Sequence, residues 1–429
     1  MVYKLLKILT RPVLLMYFRR TYMFNEHYLP ADKPVLLCMN HPNSFSEPCI
    51  IAVNVAVDLH FIVRGDVFKP PLEYLLYATN QIPIFRFKDG YTNLKKNADS
   101  FVKIYEALED NNAIVIFPEG NCVQEKHFRR PLQKGTARMA FGAMTEKQVK
   151  DIHIVPVGVN YANPSKFRSD VMIEFGPAFS LETYREMYEQ EPNKAIKLVT
   201  ERIESAMEPL IIDLENTADE PYYNVLMNIH SNEYFRYRNW SGFMKSNQRL
   251  RSEIKLAKHW NRTPDDAKEK LRLQTSGYQA MLDENRLLDE SVRNDGRFRP
   301  ANSFFLLLLS IPALVGVIVL YPVYLIPKRL VEKKVKSIEF YSSVRIGVSF
   351  FVLLVYSILW LIVCTILTGW YGLIAMPALL LLSYLTLEFR DKFFLLVSDM
   401  RYGSTAKETR ALLKTNRAAL LEYIRSGIR

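Results

Sequence analysis

Four short blocks of this chain gather residue types that can move a proton and hold an anion. The apolar run Val35-Leu36-Leu37-Cys38-Met39 leads into Asn40-His41-Pro42-Asn43-Ser44-Phe45-Ser46-Glu47-Pro48. A histidine just past a strand end, with a carboxylate at the next helix start, can make a general base. The carboxylate would accept a hydrogen bond from one ring nitrogen and fix the tautomer, leaving the other to take a proton from a hydroxyl. A capping or surface histidine has the same local look, so this block alone is a weak signal. In the second block, Gln81-Ile82-Pro83-Ile84-Phe85-Arg86-Phe87, an arginine ends an apolar strand, where a guanidinium can grip a phosphate at two points. The third, Ile116-Phe117-Pro118-Glu119-Gly120-Asn121, is a strand followed by a tight glycine turn that can offer backbone N–H groups to an anion or oxyanion. The fourth, Ile154-Val155-Pro156-Val157-Gly158-Val159, reads as an apolar strand shaping a cleft floor.

Positioning these blocks requires an α/β framework. Short apolar runs at Val35–Met39, His60–Val63, Gln81–Phe85, Ala113–Phe117, His153–Asn160 and Asp170–Phe175 read as strands. Residues 45–57, 70–79, 92–110 and 134–148 read as the helices between them. From about 185 to 300 the texture turns to long charged segments, and Thr263-Pro264 marks a helix start there.

In this order, over about 120 residues, the four blocks resemble the glycerophosphate and lysophosphatidate acyltransferase superfamily, often called PlsC-like. The similarity covers roughly residues 31–180. It implies a mixed sheet flanked by helices, His41 as base, Glu47 as its carboxylate partner, and a phosphoglycerol site drawn from Arg86, Phe117, Pro118, Glu119, Gly120 and Asn121. It implies an acyl donor, acyl-CoA or acyl-carrier protein, with no bound cofactor and no metal, and a phosphoglycerol acceptor such as 1-acylglycerol-3-phosphate or glycerol-3-phosphate. Two departures stand out. Ser46 occupies the position where the usual spacing puts Asp, with the carboxylate one residue later at Glu47, and Asn121 stands where Thr or Ser is more frequent. Another lysophospholipid or an aminolipid as acceptor, or a catalytically silent membrane scaffold of the same fold, are the competing readings.

Further basic residues, Arg129, Arg130, Lys134 and Arg138, cluster around Gly135-Thr136 and could draw in phosphate, though a solvated helix face reads equally well. Arg64, in Arg64-Gly65-Asp66, sits at a strand end where it can face substrate. His127 has no oriented partner near it in sequence and reads as a surface residue.

The chain also meets a membrane. From Ile346 to Leu387 there is no Asp, Glu, Lys or Arg, a run long enough for two spans of about 20 residues each. Thr368-Gly369-Trp370-Tyr371-Gly372 divides it, which predicts a hairpin of 346–367 and 371–387. The apolar run 304–326 carries Pro312, Gly316 and Pro322 and reads as kinked or re-entrant. Lys and Arg dominate residues 327–345 and the tail 391–429, which puts both hairpin ends, and the catalytic domain, on the cytoplasmic face. At the N-terminus Lys4, Lys7 and Arg11 recur opposite Leu5, Leu9, Val13 and Met16, an amphipathic helix suited to an anionic surface. The expected organisation is therefore a membrane-associating segment 1–30, an acyltransferase domain 31–215, a helical region 216–300, membrane segments 301–390 and the basic tail.

Composition agrees. Of 429 residues 49% are hydrophobic, which excludes a disordered chain, and the four cysteines lack metal spacing and read as reduced. Net charge is +11, from 56 Lys plus Arg against 45 Asp plus Glu. The basic residues border apolar runs and no nucleic-acid motif appears, so membrane lipid is the expected partner.

Overall fold

Which loops meet is decided by a central mixed sheet. The computed structural model describes residues 2–85, 95–235, 242–244, 246–297 and 300–429. Strands β1 (Arg20–Phe24), β2 (Val35–Met39), β3 (Leu59–Arg64), β4 (Gln81–Ile84), β5 (Ala113–Ile116), β6 (His153–Tyr161), β7 (Asp170–Phe175), β8 (Phe179–Ser180) and β9 (Gly242–Met244) form one sheet. Its order is β4-β3-β5-β2-β6-β7-β1-β9, with β8 paired to β6. β2 runs parallel to both neighbours, in register Leu37↔Val115 and Leu37↔Val155, whereas β6 and β7 are antiparallel. A central parallel strand is covered on both faces, and Val35 through Met39 are accordingly all buried. The parallel set β2 to β6 brings its carboxyl ends to one edge of the sheet, where ligand crevices of α/β folds form.

Helices cover both faces. On one side α4 (Asn97–Glu109), α5 (Gly135–Glu146) and α7 (Pro192–Met207) pack through Ile104, Phe141, Val199 and Ile203. On the other lie α1 (Val2–Tyr17) and α2 (Ser46–Asn54), and α3 (Leu72–Ala78) precedes edge strand β4, while the short α6 (Arg185–Gln190) leads into α7. α1 buries Tyr3, Val13, Leu14 and Tyr17 and leaves Val2, Leu5 and Ile8 exposed, so its lipid-ready stripe is narrower than the pattern suggested. Lys7 turns inward and its Nζ donates to the Val55 carbonyl at 2.6 Å.

Three strands were not expected, the two-residue β8 among them. β1, assigned by pattern to the membrane-associating segment, joins β7 in the sheet, and β9, inside the expected helical region, extends the edge beyond it. Arg20-Thr21-Tyr22-Met23-Phe24 is short and begins with a buried cation, so neither alternation nor an apolar run marks it. Against this edge pack α8 (Glu220–Tyr234), α9 (Gln248–Arg262), α10 (Asp265–Glu284) and α11 (Asp289–Asn294), with Tyr22, Phe24, Tyr223, Trp260 and Tyr278 in one core.

The apolar C-terminal third is helical. α12 (Pro300–Lys334) runs continuously through Pro312, Pro322 and Pro327, with no turn back within 304–326. α13 (Tyr341–Thr368) and α14 (Ala375–Ser404) follow, joined by a 3-10 segment at Gly369–Ile374. Two segments, Ser303–Lys334 and Ile338–Ile374, are long and apolar enough to cross a membrane. Leu307, Ile311, Phe351 and Ile366 are exposed on them, an apolar surface that suits lipid. α14 is apolar only in its first half. Its second half carries Glu388 and Asp391, which hold the buried Arg168 at 3.0 and 2.8 Å and so tie this helix to the β6–β7 turn. The basic tail is not loose: α15 (Lys407–Ile428) buries Leu413, Leu420, Leu421 and Ile424 against α9 and α10.

Candidate active site

His41 stands two residues past the end of β2, and Glu47 in the first turn of α2. The loop between them is held from several sides. Asn40 exchanges two hydrogen bonds with the Val159 backbone, donating at 2.9 Å and accepting at 2.7 Å. The His41 N–H donates to Glu119 Oε1 at 3.1 Å, and the His41 carbonyl accepts from Val123 N–H at 3.3 Å. Ser44 adopts φ 49, a left-handed conformation that costs a non-glycine residue about 1–3 kcal/mol unless its surroundings hold it. Its N–H donates to Cys122 Sγ at 3.1 Å.

The His41 ring stacks on Phe117, with centroids 3.8 Å apart and an interplanar angle of 21°. Its Nδ1 lies 3.6 Å from Glu47 Oε2, and the Glu47 side chain is fully buried. At that distance the two attract as charges but lack a direct hydrogen bond, and both Glu47 oxygens and His41 Nδ1 are buried without a hydrogen-bond partner. Burial, the largest influence, works against an imidazolium at His41. The Cys122 sulfur and the Glu47 carboxylate work for it, and the balance raises His41 above its ordinary value. Burial also pushes the Glu47 carboxyl up, with His41 opposing. Nδ1 faces the Glu47 carboxylate, which leaves Nε2 as the nitrogen on the other side of the ring.

These groups open onto a cavity of about 840 Å³. Phe117, Pro118, Gly120, Asn121 and Arg64 line it beside His41. Gly120, at φ 73, makes the turn that an L side chain would strain, and its N–H closes it on the Phe117 carbonyl at 3.1 Å. The deeper wall is apolar, with Phe61, Val63, Leu76, Ile84, Ile116 and Met139. No sequence signal singled out these residues as one surface, although Leu72, Leu75 and Leu76 are an apolar cluster on a short helix.

The other expected site residues fall elsewhere. Glu119 does not line the cavity. It is 6% exposed, and its second oxygen accepts from the Arg129 N–H at 3.2 Å, so it braces the His41 loop from behind. Lys134 and Arg138 are exposed at the start of α5 and do not line the cavity, whereas their neighbours Gly135 and Thr136 do. Arg64 pairs with Asp66, Nε to Oδ1 at 3.0 Å, at the rim. Arg86 lies outside the described residues. The strand end just before it is held firmly, since Asn97 both accepts from the Phe85 N–H and donates to its carbonyl at 2.8 Å. Ser46 faces away from His41, with its Oγ 3.2 Å from that of Ser343. His127 does have a partner, Asp213 at 3.1 Å, brought in by the chain beyond α7.

A His–Glu pair thus stands at the carboxyl edge of a mixed sheet, beside a glycine turn and on a cavity with an apolar wall. Residues 20–160 match the family model described as Acyltransferase. Glycerol-3-phosphate O-acyltransferase 1 of Saccharomyces cerevisiae is 26% identical over 257 residues, which cover 57% of this chain and 33% of that protein. Glycerol-3-phosphate O-acyltransferase 2 of the same yeast is 26% identical over 161 residues, 36% of this chain and 21% of that one. The crystal structure of the 1-acyl-sn-glycerophosphate acyltransferase PlsC from Thermotoga maritima overlaps 47% of this chain and 78% of its own, at 16% identity and a TM-score of 0.35. Residues 20–160 thus match an acyltransferase family model, and the chain spans a third or less of the length of these yeast relatives.

Proposed function

We propose that this protein transfers a fatty acyl group from an acyl thioester, acyl-CoA or acyl-carrier protein, to a hydroxyl of a phosphoglycerol acceptor at a membrane surface. The observation that carries this reading is His41, backed by a buried carboxylate, at the mouth of an apolar cavity large enough for an acyl chain. Nε2 takes the proton as the acceptor hydroxyl attacks the thioester carbon. A C–O bond forms, the C–S bond breaks, and the proton passes on to the leaving thiolate. The turn at Phe117–Asn121 faces the reacting carbonyl and supplies donors for its oxyanion. Arg86 and Arg64 serve the acceptor phosphate. Glycerol-3-phosphate is the first acceptor to try, because both yeast relatives are named for it, with lysophosphatidate next. α12 and α13 anchor the protein, and the Lys and Arg residues of 327–345 favour a cytoplasmic catalytic domain.

Thiol release by the full chain in phospholipid nanodiscs, measured against a panel of acceptors, tests this. The wild type should respond to one phosphoglycerol acceptor above its His41→Ala variant. Equal background in both with every acceptor rejects the enzyme reading in favour of a silent scaffold. Cysteine labelling of sealed vesicles decides the face.

A further inference from the structure

We infer that Ser343, in the first turn of apolar helix α13, is a positioning residue for the His41–Glu47 pair, acting through the loop that joins them. This rests on the reaction proposed above. Ser343 is 6% exposed and some three hundred residues from that loop in sequence, yet its Oγ donates to the Asn43 carbonyl at 2.8 Å and meets Ser46 Oγ at 3.2 Å. The same Asn43 carbonyl accepts from the Ser46 N–H at 3.2 Å, the bond that opens α2. Ser343 therefore grips the turn one residue before Glu47. Its neighbour Ser342 is fully buried, donates to the Pro164 carbonyl at 2.5 Å and accepts from the Tyr17 hydroxyl at 2.8 Å, which fixes the helix start against α1 and the β6–β7 turn. Glu339 and Phe340, just ahead of α13, line the cavity beside His41.

Why this contact bears on chemistry follows from what Glu47 lacks. Its oxygens have no hydrogen-bond partner, so only the placement of α2 sets its distance to His41. A neutral hydroxyl pair that fixes this placement tunes the proton affinity of His41 without touching substrate.

The test uses the full chain in phospholipid nanodiscs. Modification of His41 by diethyl pyrocarbonate, read by mass spectrometry across a pH series, gives an imidazole midpoint without reference to turnover. Ser343→Ala should lower that midpoint by about one pH unit toward the ordinary histidine value, and Ser343→Thr, which keeps the hydroxyl, should restore it. In turnover Ser343→Ala should reduce kcat about tenfold while KM for the acceptor stays within about twofold. In a Glu47→Gln background the same change should add little. Ser46→Ala removes the hydroxyl–hydroxyl contact but keeps the Ser343–Asn43 bond, and should shift the midpoint in the same direction by a smaller amount, which covers the case where the helix variant fails to fold. An unchanged midpoint, an equal shift in the Ala and Thr variants, or a loss confined to KM overturns the proposal. If the midpoint moves while neither wild type nor His41→Ala turns over any acceptor, the proposed reaction fails and the positioning stands.

Discussion

Two of the buried carboxylates in this protein, Asp289 and Glu47, are treated in opposite ways. Asp289, 2% exposed among the helices beyond the sheet, is satisfied at both oxygens. One accepts from the Tyr278 hydroxyl at 2.6 Å and Arg417 Nε at 2.9 Å, the other from Asn232 at 2.9 Å and Arg417 Nη2 at 3.3 Å. Arg417 also reaches Glu233 at 3.0 Å, which Arg293 meets at 3.1 Å. Glu47 is as deeply buried and has only the charge of His41 near it, 3.6 Å away. A closed network holds helices α8, α10, α11 and α15 together. The His41–Glu47 pair is left open, and His41 lines a cavity that none of Asp289, Glu233, Arg293 and Arg417 reaches.

The contrast can be broken by mutation. His41→Ala should lower acyl transfer by about a hundredfold to ten-thousandfold, with a drop in melting temperature smaller than that of Asp289→Ala, because the buried Glu47 has no hydrogen bond to lose. Asp289→Ala should do the reverse: it strands Arg417, destabilises the fold by about 3–5 kcal/mol in denaturant titration, and leaves turnover per folded molecule as it was. If either variant shows the other's behaviour, the division between working and structural carboxylates is wrong. Glu47→Gln should reduce kcat by about ten- to a hundredfold with no loss of stability, since it removes a buried charge that has no hydrogen bonds to lose.

The two regions should also differ in pH response. In the proposed reaction His41 must be unprotonated, so the rate should climb with pH through a value above about 6.5. Its contribution to stability is full below about pH 6.5 and is lost as pH rises through the higher folded value. Glu233 has the opposite sign. Burial resists its ionisation, but Arg417 and Arg293 hold it below its ordinary value, so its contribution is present above about pH 4.3 and is lost as pH falls through the lower folded value. A pH–rate profile and a pH series of melting temperatures separate the two. The smallest effect belongs to Lys134→Ala and Arg138→Ala. Exposed and off the cavity, they should raise acceptor KM by about twofold or less at low salt, and not at all at high salt.

Much of the fold was legible in the chain. β2, β5, β6 and β7 announce themselves as Val- and Ile-rich runs because strands buried on both faces need no polar alternation. β1 and β9 were missed, since each is short and takes its place through neighbours far away in sequence. α15 read as a basic tail because its charges are plain and its Leu413, Leu420 and Ile424 stripe needs a partner surface to have meaning. In the site, His41, Glu47, Phe117 and Gly120 were visible as local blocks. Glu119 was visible too, but not its contacts: it faces the backbone amides of His41 and Arg129, which carry no signature in a sequence.

What residue order alone decides here is the kind of chemistry available: a histidine after a strand, a carboxylate six residues on, a glycine turn, and apolar runs that need lipid or burial. Those features are local, set by backbone reach and hydrophobicity. Tertiary structure decides how they work. The 3.6 Å gap between His41 and Glu47, the stacking of Phe117, the wall from Leu76 to Met139 and the grip of Ser343 on the Asn43 turn all join segments that only a packed sheet brings within a few ångströms. Hydrogen bonds and van der Waals contacts act over that range, and sequence distance has no bearing on them.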